Sequence, residues 1–207
     1  MKRGFTLIEM LVVMGIIVAL MAACLVGYRK MLVMAEKTKC RELVSNAATA
    51  LAALYTDSGA WPRSLRNANT AGGAKILDGK AAYALASRGF LSLEVSSESA
   101  KSGKTAGLDK FGLITPTAAK VVKRLGNSAT LSSMVTSGST IEDHILRFAI
   151  DLDGDGVIED VNVGGETLAV RANAVVWCCG KDGKILPFHE GVRSDDVHSW
   201  TEGQIVK

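Results

Sequence analysis

Two groups of acids in this 207-residue chain have the type and spacing to do chemistry. The first is a lone carboxylate, Glu9, inside the apolar run FTLIEMLVVMGIIVALMAACLVGY at residues 5–28. A charge at membrane depth costs about 2.5–3.5 kcal/mol even on lenient insertion scales, so an acid there needs a partner. The second is DLDGDGVIED at residues 151–160, where Asp151, Asp153 and Asp155 occupy alternate positions and Gly156 follows. Three carboxylates so spaced can converge on one hard cation, and the glycine permits the sharp turn that begins an EF-hand-type calcium loop. Asn162 stands where that motif places a bidentate glutamate, and an Asp-Gly hairpin turn accounts for the stretch without metal.

The remaining reactive residues form no catalytic pattern. His144, His189 and His198 lack a ligand spacing, and neither a serine–histidine–acid nor a cysteine–histidine arrangement arises from the spacing. The chain is therefore expected not to be an enzyme. SGKT at residues 102–105 lacks the glycine that a phosphate loop needs five residues earlier, and reads as a solvated loop. Cys24 lies in the apolar run, Cys40 follows it, and Cys178 and Cys179 are neighbours. Neighbouring cysteines bridge each other only with strain. Buried thiols, or a distant bridge from Cys40 to one of the pair, are the two readings.

Stepwise spacing predicts the elements that position these groups. Residues 5–28 amount to about 36 Å of helix, enough to span a bilayer. Beyond them Cys40, Leu43, Val44, Ala47, Leu51, Leu54 and Tyr55 recur every three or four residues, one buried face of the same helix continuing. No proline interrupts it until DSG and WP end it near Asp57, giving one helix of about 75–80 Å. GKAAYALASRGF predicts a short helix closed by Gly89, and TPTAAKVVKRLGN a second, capped by Thr115 with Pro116 in its first turn. From residue 143 the pattern turns to strands: HILRFAI, VIEDVNV and TLAVRANAVVWCC predict a three-stranded antiparallel meander, with the alternation in VIEDVNV burying one face against the long helix. The expected fold is α+β, a helix spine on a small antiparallel sheet.

Three readings of the N-terminus compete. A cleaved secretory signal carries no acid in its apolar region. A lipoprotein signal finds small residues before Cys24 in LMAAC, but with methionine in the usual leucine place and Glu9 interrupting its core. The third rests on KRGFTLIEM, which resembles the class III leader of type IV pilins and type II secretion pseudopilins. The resemblance implies that a prepilin peptidase cuts after Gly4 and methylates the new N-terminus at Phe5, and that Glu9 serves assembly. The freed α-amine is positive near neutral pH. It and Glu9 are each costly in lipid alone, and Glu9 of one subunit meeting the amine of its neighbour would set an axial register. Snorkelling of Glu9 to the interface is the plainer alternative.

The tail GKDGKILPFHEGVRSDDVHSW also resembles that of the major pseudopilin, implying a calcium loop with Asp182, Asp195, Asp196 and Ser199 as ligands, closed by Trp200. The stretch between lacks the family's glycine-rich run and carries Lys184, His189 and Arg193; a loop held by Trp200 packing and hydrogen bonds is the alternative. A further departure is LVGYRK, which lacks the proline many members have there and leaves only Gly27 to soften the helix. Adjacent Cys178 and Cys179 do not suit the loop that adhesive pilins close with two spaced cysteines, which favours a secretion pseudopilin over a pilus subunit.

Charge and composition fit that picture. Lys+Arg 24 against Asp+Glu 21 gives a net charge of +3, too balanced for a nucleic-acid binder. Lys2 and Arg3 place the N-terminus in the cytoplasm, although Arg29, Lys30, Lys37, Lys39 and Arg41 follow the span. The expected organisation is a leader at 1–4, a membrane and assembly half of the helix at 5–28, its soluble half at 29–57, a variable helix and loop region at 58–142, and a sheet with an acidic loop at 143–207. The expected function is a self-polymerising filament subunit of the inner membrane, with an extracytoplasmic C-terminal domain and the secretion or pilus assembly machinery as partner. A membrane-anchored calcium-binding module that never polymerises is the rival class.

Overall fold

The computed structural model describes residues 7–91, 134–136, 139–140, 142–180, 183–188 and 196–206. The expected helix at 115–127 and the loop at 102–105 lie outside the described residues. Internal contacts divide the chain into two units, Met1–Glu36 and Lys37–Lys207.

Helix α1 runs over Leu7–Ser58, unbroken past Gly27. In the N-terminal unit its described large apolar side chains are exposed on every side, from Leu7 at 84% to Ile17 at 46%. Among the described residues no helix is long and apolar enough to cross a membrane.

In the C-terminal unit the same helix is amphipathic. Cys40, Val44, Ala47, Ala50, Leu51 and Leu54 are buried, the three- and four-residue spacing read from the sequence. Leu43 and Tyr55 flank this face, half-buried. The helix ends where Gly59 donates its N–H to the Tyr55 carbonyl at 2.8 Å and the chain turns into Trp61, whose ring stacks on Tyr55 at 4.8 Å. One turn of helix, α2 (Arg63–Arg66), follows Pro62.

A hairpin, β1 (Thr70–Ala71) and β2 (Ala74–Ile76), leads to α3 (Gly79–Ala86). Asp78 caps α3, accepting from the N–H groups of Lys80 and Ala81. Beyond its C-terminus Phe90 N–H returns to the Leu85 carbonyl at 3.1 Å, with Gly89 between them as expected. A small hairpin, β3 (Met134–Thr136) with β4 (Ser139–Thr140), precedes the main strands.

Those strands are β5 (Arg147–Ile150), β6 (Ile158–Val163), β7 (Glu166–Val170), β8 (Ala174–Cys178), β9 (Val197–His198) and β10 (Ile205–Val206). They form two sheets, ordered β1-β2-β5-β8-β9 and β10-β7-β6. The expected three-stranded meander is corrected on this point. TLAVRANAVVWCC is two strands, broken at residues 171–173: β7 pairs with β6 and β10, whereas β8 crosses to pair with β5. The break is held by two backbone bonds, Asp151 N–H to the Asn173 carbonyl and Arg171 N–H to the Gln204 carbonyl.

The β8 strand explains why two sheets are needed. Its side chains alternate, so Val176 and Cys178 enter the core built on α1, while Val175 and Trp177 enter a second core with Val161, Val163 and Trp200. The expectation that VIEDVNV buries its face against the long helix is corrected too. Its buried residues Ile158, Val161 and Val163 belong to the second core. A five-stranded sheet thus has α1 on one face and the small sheet on the other. At the β6–β7 turn Gly164 has φ 60°, and a Cβ there would stand 2.4 Å from the Leu186 carbonyl carbon. Only glycine lets the two backbones meet so closely.

Candidate functional site

At the N-terminal unit the site is the start of α1. Glu9 lies in the first turn, exposed, where a carboxylate also complements the positive end of the helix dipole. Gly4 and Phe5, the expected cleavage and methylation residues, lie outside the described residues. Around Glu9 the side chains of Leu7, Ile8, Met10, Leu11 and Val12 are all at least half exposed. A helix apolar on every side is stable only when lipid or other helices cover it.

The acidic loop between β5 and β6 is anchored on the end of α1. Trp61, stacked on Tyr55, donates its indole N–H to the Asp151 carbonyl. Asp151 is buried, and its two carboxylate oxygens accept the N–H groups of Gly154 (2.7 Å) and Gly156 (2.8 Å). Burial pushes its pKa up, but these donors and the neighbouring Asp153 outweigh that and hold it below the usual carboxylate value. Asp155 accepts from Val157 N–H at 2.7 Å. Gly156 has φ 83°, the turn expected of it.

One oxygen from each of Asp151, Asp153 and Asp155 lies within 4.8 Å of the others, the one such cluster among the described residues. The donor set is all carboxylate oxygen, which suits a hard cation such as calcium. Asp153 and Asp155 are exposed, and the backbone bonds to Asp151 hold the loop whether or not an ion is present.

The C-terminal loop is organised differently. Asp182 and Asp195 lie outside the described residues. Asp196 is buried, accepting the N–H of Gly180 at 3.0 Å and of Leu186 at 2.9 Å. The Ser199 hydroxyl oxygen accepts the N–H of Val176 at 2.9 Å, extending the edge of β8. Trp200 packs edge-on against Trp177 at 5.7 Å and stacks on Phe188 at 5.9 Å. Asp196 and Ser199 therefore brace backbone, and Trp200 closes the loop by packing.

A contact that spacing did not reveal joins Cys179 to His144. The thiol lies 3.7 Å from Nδ1 of the ring and donates to the Asp143 carbonyl at 2.9 Å. Both side chains are fully buried. Burial pushes the Cys179 thiol well up, only partly offset by the Arg147 guanidinium, which is the opposite of what a nucleophilic cysteine needs. The two residues are far apart in sequence, and the signal was in the strand pairing: Arg147 faces Trp177, so the same register carries the residues before β5 to the end of β8.

An open polar cleft of about 690 Å³ lies between α1 and the C-terminal segment, lined by Lys37, Arg41, Asp196, His198, Ser199 and Trp200 among others. Burial, with a smaller contribution from Lys37, lowers the His198 pKa to about 4, so this ring is neutral near pH 7.

Comparison with known proteins bears on the N-terminus alone. No curated protein and no solved structure matches the chain. Residues 1–25 match the family model described as the prokaryotic N-terminal methylation motif. With Glu9 in an apolar first turn and an α+β fold behind it, this chain carries a prepilin-type methylation motif, and its fold is consistent with a pilin-like architecture.

Proposed function

We propose that the chain is a structural subunit of a membrane-rooted filament of the pseudopilin kind, serving a type II secretion system. It is cut between Gly4 and Phe5 and methylated at Phe5. Its apolar helix is held in the inner membrane until assembly, and its sheet domain lies on the extracytoplasmic side. In the filament, Glu9 of one copy pairs with the N-terminal amine of another, and the apolar helices bundle. The chain performs no catalysis; the assembly machinery supplies the work. The observation that carries this reading is the methylation motif at residues 1–25, which runs into the part of α1 whose described side chains are apolar and exposed all round. The adjacent cysteines, buried at the end of β8 rather than spaced around a C-terminal loop, favour a secretion filament over an adhesive pilus.

The mass of the mature N-terminus tests it. Methylated Phe5 is expected; an intact Met1, or a lipid on Cys24, would remove the filament reading in favour of a solitary anchored module.

A second reading concerns metal. The convergence of Asp151, Asp153 and Asp155 within 4.8 Å supports this loop as a calcium site. Calcium would add stability by binding the folded loop only. Melting of the purified protein should rise with calcium and fall back with chelator, and Asp153→Asn with Asp155→Asn should abolish the difference. Identical melting curves would dismiss the site.

A further inference from the structure

The cysteines of the C-terminal unit are not equivalent. Cys40 sits on the buried face of α1, and Cys178 ends β8 on the side that faces the helix. Both belong to the one core between α1 and the central sheet, each within 4% of complete burial, and hydrogen bonding to Cys40 helps push the Cys178 thiol up. Cys179, one residue on, is held by Asp143 and His144 instead. Strand alternation therefore presents one cysteine of the adjacent pair to the helix and keeps the other away.

We propose that Cys40 and Cys178 form an intramolecular disulfide that staples α1 to the central sheet. The proposal rests on the reading that this domain works outside the cytoplasm, where disulfides persist. Cys40 and Cys178 are packed in the same core, and a bridge there needs an S–S length of about 2.05 Å with Cβ atoms about 3.5–4.5 Å apart. A bridge between Cys178 and Cys179 would strain the backbone and break the Cys179 contacts. The Cys40–Cys178 bridge closes a loop of roughly 140 residues, the long-loop case in which the unfolded chain is constrained most.

The oxidant is a protein or small-molecule disulfide. A Cys40 or Cys178 thiolate attacks one of its sulfurs, expelling a thiolate and leaving a mixed disulfide; the second cysteine thiolate then attacks the protein sulfur of that bond and expels the other. The two cysteines lose two protons and two electrons in all, and the oxidant becomes two thiols. Hydrogen bonding to Cys40 and burial both disfavour the Cys178 thiolate in the finished fold, so exchange belongs to the folding chain, before α1 closes over the sheet.

The full chain, reduced and unfolded in detergent, would be refolded with oxidised glutathione and then alkylated under denaturing conditions. Peptide fragmentation should find Cys40 joined to Cys178, with Cys24 and Cys179 alkylated. Cys40→Ala and Cys178→Ala should each abolish the bridge, and Cys179→Ala should leave it. Oxidised wild type should melt several degrees above its reduced form, a comparison that needs no substitution. A Cys178–Cys179 product, intermolecular links only, or both thiols alkylated would overturn the proposal. Protein taken from its host with rapid alkylation separates this from the functional reading. Processed Phe5 with Cys40 and Cys178 both alkylated rejects the bridge and spares the filament. Intact Met1 with the bridge formed rejects the filament and spares the bridge.

Discussion

The N-terminal and C-terminal units use the same kinds of residue in opposite ways. Leu11 and Leu20 in the first are 66% and 62% exposed, whereas Leu51 and Leu54 in the second are fully buried. All four lie on one helix, α1. The difference is in the pattern around them: apolar on every side in the first, restricted to one stripe in the second. A stripe finds its cover within the chain. A helix apolar all round finds none among the described residues, and lipid or other copies are its proposed cover.

The contrast is most sharply tested at Glu9. Glu9→Leu makes the first unit more apolar, so membrane insertion should persist, while filament assembly should be lost altogether if the acid sets the register. Microscopy of filaments beside membrane fractionation checks both halves, and normal filaments would return Glu9 to a helix-dipole or snorkelling role.

In the second unit the same kind of change should act on stability. Leu54→Ala, beneath the sheet, should cost about 2–5 kcal/mol, read from denaturant unfolding of the full chain in detergent. Leu11→Ala should leave that transition unmoved. A comparable loss at both would erase the distinction between the units.

Gly164→Ala puts a methyl group against the backbone of residues 185–187 at positive φ. It should cost about 2–4 kcal/mol, a backbone effect with no counterpart at Gly15, where a Cβ would meet nothing. Equal tolerance at the two glycines would show that the turn shifts freely.

The smallest effect is on pH. His198 has its folded pKa lowered to about 4 from 6.5, so its contribution is complete above pH 6.5 and is lost as pH falls towards 4. Asp151, also lowered, adds stability that is complete above its ordinary 3.8 and disappears at still lower pH. Titrated melting should therefore show the second unit softening first between pH 6.5 and 4, and His198→Phe should flatten that limb. An unchanged slope would mean that His198 meets water in the cleft.

Much of this was legible because it is local. The buried stripe of α1, the Asp78-capped α3 with Gly89 after it, and the glycine turn at residue 156 each depend on neighbours within a few positions. The hairpin at residues 70–76 went unread in an Ala- and Gly-rich stretch, although Gly72 and Gly73, both at positive φ, are the usual mark of a tight hairpin turn. The division of TLAVRANAVVWCC was harder. Its apolar run is nearly continuous, and the corner at residues 171–173 is imposed by bonds to Asp151 and Gln204, partners distant in the chain.

By itself the sequence determined the methylation motif, the all-round apolar run with its single acid, and the switch to a one-faced helix, since each is written in residue type and spacing. The tertiary structure decided that β8 crosses to pair with β5, that VIEDVNV packs on Trp177 and Trp200 rather than on α1, and that Cys178 rather than Cys179 joins Cys40 in the core beneath the helix. Those outcomes turn on which of two faces each strand offers to a remote partner. A side-chain period of two leaves that choice open until the strands have paired.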